Sequence, residues 1–431
     1  MKIALIGYGQ EGQSAYNYYV RHFPEAEFVI YDEAEAPKFT PPEGAELING
    51  PDVLKDVIEA DLVVRCSPPI NPARIRTSAK LTSPTREFFE KCPAPIIGIT
   101  GTKGKGTTAS LTDSILQAAG KMSWLVGNIG RPSLDVLDEI KSEDVVVFEL
   151  SSFQLWDMTV SPHVAVVLMI ESDHLDVHKD FNEYVDAKAN IRRYQTDKDI
   201  CFYNPNNEFS ARIACSTSAG RLRRYGVKTD GAVYVKSNTF FVHNHPICDI
   251  ENLRLEGEHN LENACAAISA AREFDVSDSA VAEGLASFAG LPHRLKLVEE
   301  VRGVKYYDDS IATTPGSAIA ALKAFEEPKI IILGGSDKGA DYDEVVDECA
   351  RRSARVIAIG TTGKEIARQC RESGIEVVEL GRAPMKEIVE KAAEMATGGD
   401  VVILSPASAS FDMFNSYADR GDQFVAAVEA L

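Results

Sequence analysis

The stretch Ile96-Ile-Gly-Ile-Thr-Gly-Thr-Lys-Gly-Lys-Gly-Thr-Thr108 passes from an apolar run through a glycine-rich turn into a helix-prone segment. A strand ending in such a turn leaves several backbone N–H groups aimed at one spot, and the helix that follows adds its positive N-terminal end. With Lys105 able to reach β and γ phosphates, Gly101, Thr102, Lys103, Gly104, Lys105, Gly106, Thr107 and Thr108 read as a cradle for ATP. The strict phosphate-loop pattern puts Ser or Thr directly after the lysine to bind Mg²⁺; Gly106 stands there, so the metal-binding hydroxyl shifts to Thr107. A glycine turn with no ligand is the competing reading.

Upstream, Lys2-Ile-Ala-Leu-Ile6 reads as a buried strand and leads into Gly7-Tyr-Gly-Gln-Glu-Gly12, a helix to about His22, and a second strand that ends at Asp32. This is a βαβ nucleotide fingerprint, with an acidic residue about twenty positions on that can accept hydrogen bonds from a ribose or base. Taken alone it also fits an NAD-dependent dehydrogenase. Asp61 to Arg65 adds a strand, and prolines 68, 69 and 72 stiffen the loop at its end, where ligands of open α/β sheets bind. Cys92-Pro-Ala-Pro95 marks a first domain boundary.

Downstream, apolar strands at Asp144 to Phe148 and His163 to Ile170 end in Glu149 and in Glu171-Ser-Asp-His174. A carboxylate and an imidazole beside a phosphate loop are what Mg²⁺ and a transferring phosphoryl group need. His174 and His178 lie four apart in a post-strand loop with no third ligand in sight, which argues against zinc. In the helix from about Phe181 to Gln195, Lys188 shares the core-facing stripe with Phe181, Tyr184, Val185 and Ile191. Either it snorkels to water, or it is desolvated and its amine, lowered in pKa, can react or be modified. Residues 232–242 read as an antiparallel hairpin, an alanine-rich helix opens at Glu258, and after Leu291-Pro-His-Arg294 strands and helices alternate again to the end.

The chain's 431 residues exceed one ordinary core and suggest about three units. The three are 1–92, 93–292 and 293–431. A net charge of −20 argues against nucleic acid and against an anionic membrane, both of which reward surplus Lys and Arg. Eight scattered cysteines without a Cys-x-x-Cys suit reduced thiols. A cytoplasmic protein, monomeric and served by small-molecule substrates, is expected.

Together these pieces resemble the Mur ligase family over the whole chain. The resemblance rests on Gly101-Thr-Lys-Gly-Lys105, Gly127-Asn-Ile-Gly130, Glu149-Leu-Ser-Ser-Phe-Gln154, Asp173-His174-Leu-Asp176, Ala187-Lys188, Gly257-Glu-His-Asn260, Leu291-Pro-His-Arg294, Asp309-Ser-Ile-Ala-Thr313 and Leu404-Ser-Pro-Ala-Ser-Ala-Ser410. It implies an α/β fold of three domains: a Rossmann-like N-terminal domain for a UDP-linked substrate, a central ATPase-type domain with the phosphate loop, and a Rossmann-like C-terminal domain for an amino acid. The implied reaction is ATP-dependent amide formation through an acyl phosphate, here joining D-glutamate to UDP-N-acetylmuramoyl-L-alanine in peptidoglycan precursor synthesis.

By the same resemblance Lys105, Glu149, His174 and Lys188 are catalytic, Thr107, Glu149, His174 and Lys188 serve Mg²⁺, and Lys188 is carbamylated. Asn260, Asn263, Arg294 and Asp309 join the loop in holding ATP. Gln10, Glu11, Asp32, Asn128 and His174 meet the UDP-substrate, and Thr313, Lys338, Ser410 and Tyr417 hold D-glutamate. The chain departs from the family pattern at Gly106, Gln10-Glu11, Glu33-Ala34 and Pro69. It departs again at Ile311, where lysine is frequent, and at Tyr417, where phenylalanine is. Alternatives are a folylpolyglutamate-synthase-like ligase, the dehydrogenase, and a nucleotide-binding homologue without turnover.

Overall fold

The structure is a computed structural model that describes residues 1–431 apart from Lys38, Pro68, Thr229, Asp230, Glu256, Lys338 and Gly339. The described residues form two compact units, Met1–Ala289 and Gly290–Leu431.

The first unit opens with five parallel strands, β1 (Lys2–Ile6), β2 (Glu27–Asp32), β3 (Ala45–Asn49), β4 (Leu62–Arg65) and β5 (Lys80–Thr82), in the order β3-β2-β1-β4-β5. The order reverses beside β1, and there the glycine turn at residues 7–12 meets the start of the helix Gln10–His22. A second sheet follows Cys92 to Pro95. Its strands are β6 (Ile96–Thr100), β7 (Ser123–Gly127), β8 (Val145–Glu149), β9 (Val164–Val167), β10 (Ile200–Tyr203) and β11 (Arg221–Arg224), all parallel, in the order β11-β10-β9-β6-β8-β7. β6, β8 and β9 are buried along their whole length, as parallel strands covered on both faces must be, which is why their sequences run apolar without alternation. Chain order reverses around β6, so the ends of β8, β6 and β9 deliver Glu149, Gly101 and Leu168-Met169 to one crevice.

The expected hairpin is present as β12 (Tyr234–Lys236) and β13 (Thr239–Val242), and β14 (His245–Asp249) completes a three-stranded antiparallel sheet that the sequence reading did not anticipate. The expected strand from His163 to Ile170 is regular only over Val164–Val167. Beyond it the backbone turns to serve the phosphate loop: Leu168 N–H donates to Thr100 O, and Met169 O accepts from Thr102 N–H.

A buried ion pair ties the first sheet to the second. Arg65, at the end of β4, donates to both carboxylate oxygens of Asp157 (2.6 and 3.2 Å) and to the Phe153 carbonyl (3.0 Å). Removing one member of such a buried pair costs about 3–5 kcal/mol, because the other charge is left stranded.

The second unit holds a six-stranded sheet in the order β15-β16-β20-β17-β18-β19. Its strands are β15 (Lys296–Val301), β16 (Val304–Asp308), β17 (Lys329–Gly334), β18 (Arg355–Ile359), β19 (Val377–Gly381) and β20 (Val401–Leu404). All pair in parallel except β15, an antiparallel edge strand whose mostly exposed residues, half of them charged, left it unread. The architecture is α/β with three parallel or mainly parallel sheets along the chain.

Candidate active site

The turn after β6 is held from three sides. Thr102 Oγ1 donates to Glu171 O (3.1 Å), accepts from Glu171 N–H (2.9 Å) and shares a hydrogen bond with Tyr184 Oη (2.9 Å). Gly104 precedes the helix Lys105–Ala118 at φ +84°, a left-handed conformation that glycine adopts without strain. A Cβ there would lie 2.4 Å from Asn263 Oδ1. Asn263 therefore stands against the loop, bonded to Asn260 Oδ1 (3.2 Å) and reached by Thr108 Oγ1 (3.4 Å). Thr107 and Thr108 are buried in the first helical turn, Lys103 is exposed and paired with Glu171, and Lys105 Nζ donates to Thr102 O (3.0 Å).

Lys188 is 1 % exposed, which excludes the snorkelling alternative. It lies on the helix Phe181–Arg193, and its Nζ donates to Gly101 O (2.9 Å) and Thr100 Oγ1 (3.3 Å), 4.7 Å from the centre of the Tyr184 ring. Burial drives its pKa well below the ordinary lysine value and nearby Lys105 pushes the same way, against the pull of Asp173 and Glu149. Glu149 is 2 % exposed at the end of β8.

His174 sits in a left-handed turn (φ +54°), with its pKa lowered first by burial and then by Lys188 and Lys105, partly offset by Asp173 and Asp176. Its ring lies 4.9 Å from that of Phe153. His178 is buried, shares a hydrogen bond with Ser152 Oγ (2.9 Å) and stacks on the other part of the same wall, 5.2 Å from Phe153 with the ring planes 6° apart. These contacts set His178 apart from His174 as a packing residue. Among the described residues no group of three His, Cys, Asp or Glu is placed to hold a metal. A divalent cation here would draw on Glu149, His174 and the Thr107 hydroxyl together with donors that are not ordinary side-chain carboxylates, a set that suits Mg²⁺, which is commonly held by one or two carboxylates plus substrate phosphates.

Residues expected at the UDP-substrate occupy the rims of the first two sheets. Gln10 is exposed at the start of its helix, and Asp32 caps the turn after β2 by accepting from Ala34 N–H (2.9 Å). Asn128 has its backbone N–H on Glu149 O (3.1 Å) and an exposed side chain. Glu11, Arg65 and Gln154 line a cavity of about 10 Å³, room for a single water. Burial, helped by Asp135, pushes the Glu11 carboxyl up to about 7.

In the second unit Asp309 follows β16, accepting from Ser405 Oγ (2.7 Å) and Leu295 N–H (3.1 Å); burial raises it to about 7 despite those bonds and the nearby Arg294. Thr313 is exposed in the following turn, Ser410 is 2 % exposed in the loop after β20, and Tyr417 opens the helix Tyr417–Glu429. Lys338 lies outside the described residues. The sequence offered Ser152 and Phe153 only within the stretch after Glu149, and His178 only as a rejected zinc ligand, so their part in the wall beside His174 went unread, as did the ion pair of Arg65 with Asp157. Pairing across 92 residues leaves no local pattern.

Parallel sheets, a glycine turn feeding a helix and a buried lysine behind that turn define an α/β protein of the phosphate-loop class. Residues 99–271 match the Mur ligase middle domain, and residues 293–408 match the Mur ligase glutamate ligase domain. The UDP-N-acetylmuramoylalanine–D-glutamate ligase of Clostridium perfringens is 38% identical over 372 residues, covering 85% of this chain and 79% of that protein. The protein of the same name from Clostridium kluyveri is 37% identical over 396 residues, covering 88% and 85%. Among solved structures, the MurF ligase of Thermotoga maritima in complex with ADP superposes with a TM-score of 0.56 at 16% identity, covering 99% of this chain and 94% of that one, a likeness of fold. The chain belongs to the Mur ligase family.

Proposed function

We propose that the chain is an ATP-dependent ligase that joins D-glutamate to UDP-N-acetylmuramoyl-L-alanine in peptidoglycan precursor synthesis. The observation that carries this reading is the identity of 37–38% with D-glutamate ligases over 85% or more of the chain. The grouping of Lys105, Thr107, Glu149, His174 and Lys188 in one crevice supports it.

In this reading the alanine carboxylate of the acceptor takes the γ-phosphoryl group of ATP and releases ADP. The glutamate amine then attacks the acyl carbon, loses a proton, and expels phosphate. Backbone N–H groups of residues 101–108 and Lys105 hold the phosphates, and Lys105 offsets the charge that develops on the transferring group. Asn260, Asn263, Arg294 and Asp309 are assigned to ATP; Gln10, Glu11, Asp32 and Asn128 to the UDP-substrate; Thr313, Lys338, Ser410 and Tyr417 to D-glutamate. Thr107, Glu149, His174 and a carbamate on Lys188 would hold Mg²⁺, which would supply positive charge to offset that of the phosphates.

Burial favours the neutral form of the Lys188 amine, the form that is nucleophilic toward CO₂, and a carbamate there would place an anionic oxygen donor where the amine stood. No helix among the described residues is long and apolar enough to cross a membrane, in keeping with a cytoplasmic site of action on soluble precursors. A monomer suffices for the roles assigned.

ADP release tests the reading. It should require ATP, Mg²⁺, UDP-N-acetylmuramoyl-L-alanine and D-glutamate together; equal release without the amino acid would refute ligation as the activity.

A further inference from the structure

The helices Phe181–Arg193 and Glu208–Ala214 flank a cavity of about 250 Å³ that none of the site assignments uses. It far exceeds the one-water cavity beside Glu11. At about 3.6 residues per turn, Val185, Asp186, Ala189 and Arg193 share one stripe of the first helix, and Lys188 lies roughly a third of a turn away, on the side that meets Gly101. The cavity therefore belongs to a different face of that helix from the phosphate turn. Two guanidiniums line it, each oriented by an amide of the same helix: Arg212 Nη1 donates to Asn182 Oδ1 (3.0 Å), and Arg193 Nη1 donates to Asn190 Oδ1 (2.6 Å). Asn190 is fixed in turn, donating to Leu155 O (2.9 Å) and Trp156 O (3.2 Å).

A guanidinium carries five N–H donors, so most of those on Arg193 and Arg212 stay uncommitted among the described residues. Asp186, the carboxylate that lines the cavity, meets Arg212 Nη2 at 3.4 Å and offsets one of the two positive charges. The other remains. Its surroundings lean the same way: residues 185–224 hold eight Lys or Arg against four Asp or Glu, in a chain that holds 45 against 65. Val185, Ala189 and Ile213, all buried, supply the apolar part of the wall, and charge contacts beside such a wall are screened less than in open water. Ser216 completes the lining with a hydroxyl that is shielded from solvent and has no partner among the described residues, so it can turn to a ligand without giving up a hydrogen bond. The loop that bears it is held by the buried Arg192, which donates to Ala214 O (3.3 Å) and to Ala219 O.

We propose that this cavity is a second oxyanion site, separate from the phosphate turn, which takes the phosphoryl or carboxylate group of a small ligand between Arg193, Arg212 and Ser216. The planar fork of arginine matches either group with two parallel hydrogen bonds. Because Asn182 and Asn190 already orient the two guanidiniums and Arg192 holds the loop, little ordering is left to oppose binding. The volume falls below the roughly 300–1,000 Å³ of sites for drug-sized ligands, which suits a ligand of a few heavy atoms. The site does not depend on the ligase reading.

The test is calorimetric titration of the full chain with inorganic phosphate and, separately, with acetate, in about 0.15 M NaCl so that loose surface attraction is screened. At least one of the two should bind saturably, at a site that Lys105→Ala leaves unchanged and that the double variant Arg193→Met, Arg212→Met weakens by roughly tenfold or more, the size expected when an anion loses charged hydrogen-bond donors. Tighter binding of phosphate marks a phosphoryl ligand, and tighter binding of acetate marks a carboxylate. Absence of saturable binding by both anions overturns the site. So does binding that Lys105→Ala abolishes while the double variant keeps it, which would put the anion on the phosphate turn. Both arginines are exposed, so the double variant should fold. Should it not, Ser216→Ala decides: affinity lowered several-fold supports the site, and unchanged affinity overturns it. No nucleotide or precursor enters this titration, so a failed ADP-release assay refutes ligation and leaves the oxyanion site standing.

Discussion

Lys188 Nζ lies 2.9 Å from the carbonyl oxygen of Gly101, so one buried nitrogen joins the helix Phe181–Arg193 to the first residue of the phosphate turn. A lysine in that place is either a neutral strut or a carbamate, and the two differ in what replaces them. Lys188→Ala should be nearly inactive and should regain part of its rate with added formate or acetate, which can occupy the vacated space and supply an oxygen donor. Lys188→Arg should gain nothing from the same additions. Full activity of the alanine variant would remove Lys188 from the chemistry.

Lys105 is anchored to the loop through Thr102 O at 3.0 Å, within the first turn of the helix that caps the cradle. Lys105→Ala removes the cation that meets the phosphates while leaving the backbone N–H groups in place. A fall in kcat of about 10³-fold is expected for a group of this kind. The check is steady-state ADP release alongside a melting curve; a near-normal rate in a folded variant would refute the phosphate-loop role.

The phosphate turn, the strands β1, β2, β4, β6, β8, β9, β16, β17, β18, β19 and β20, and the place of Lys188 on the core-facing stripe were legible because each has a local cause: an apolar run, a cluster of glycines, a helical stripe broken by one cation. What stayed hidden depends on chain segments that meet only in space. Arg65 and Asp157 pair across the first two sheets, and Arg420 gathers Ser310 and Ser408 from segments 110 and 12 residues away. β15 escaped because a mostly exposed edge strand carries no apolar alternation. His174 and His178 look alike in sequence, yet the structure separates them: one is half-exposed beside the loop, the other stacks against Phe153 with its Nε2 on Ser152.

Glu11 gives a pH signature of stability. Burial, and then Asp135, raise its carboxyl from 4.5 to about 7 in the folded chain. Between those values the folded state holds a proton that the unfolded chain has released, so stability falls as pH rises through that window and levels off above it. Glu11→Gln abolishes the effect. The variant should match the wild type near pH 4.5 and exceed it by about 2–3 kcal/mol near pH 8. Asp309, raised in the same way, contributes equally to both proteins and cancels in the difference. Thermal melts of the pair from pH 4.5 to 8 decide it, and a constant offset across that range would contradict the burial of the carboxyl.

Ser410 separates stability from binding. Its hydroxyl is 2 % exposed and has no hydrogen-bond partner among the described residues, although it stands two residues beyond Ser408, whose carbonyl is fixed by Arg420. Burying an unpaired hydroxyl costs about 1–3 kcal/mol, a cost tolerated when an incoming ligand supplies the missing partner. Ser410→Ala removes only one oxygen, leaves the backbone of the loop untouched and relieves that cost. Its melting temperature should equal or exceed that of the wild type, while the KM for D-glutamate rises by roughly tenfold, the loss expected when a carboxylate gives up one hydrogen bond. D- and L-glutamate should be compared in both proteins. When both carboxylates are fixed the L enantiomer carries its amine elsewhere, and a misplacement of about 1 Å costs roughly 10²-fold in rate, so the wild type should prefer D. A lower melting temperature together with an unchanged KM would show that Ser410 serves the fold and that the amino acid binds without it.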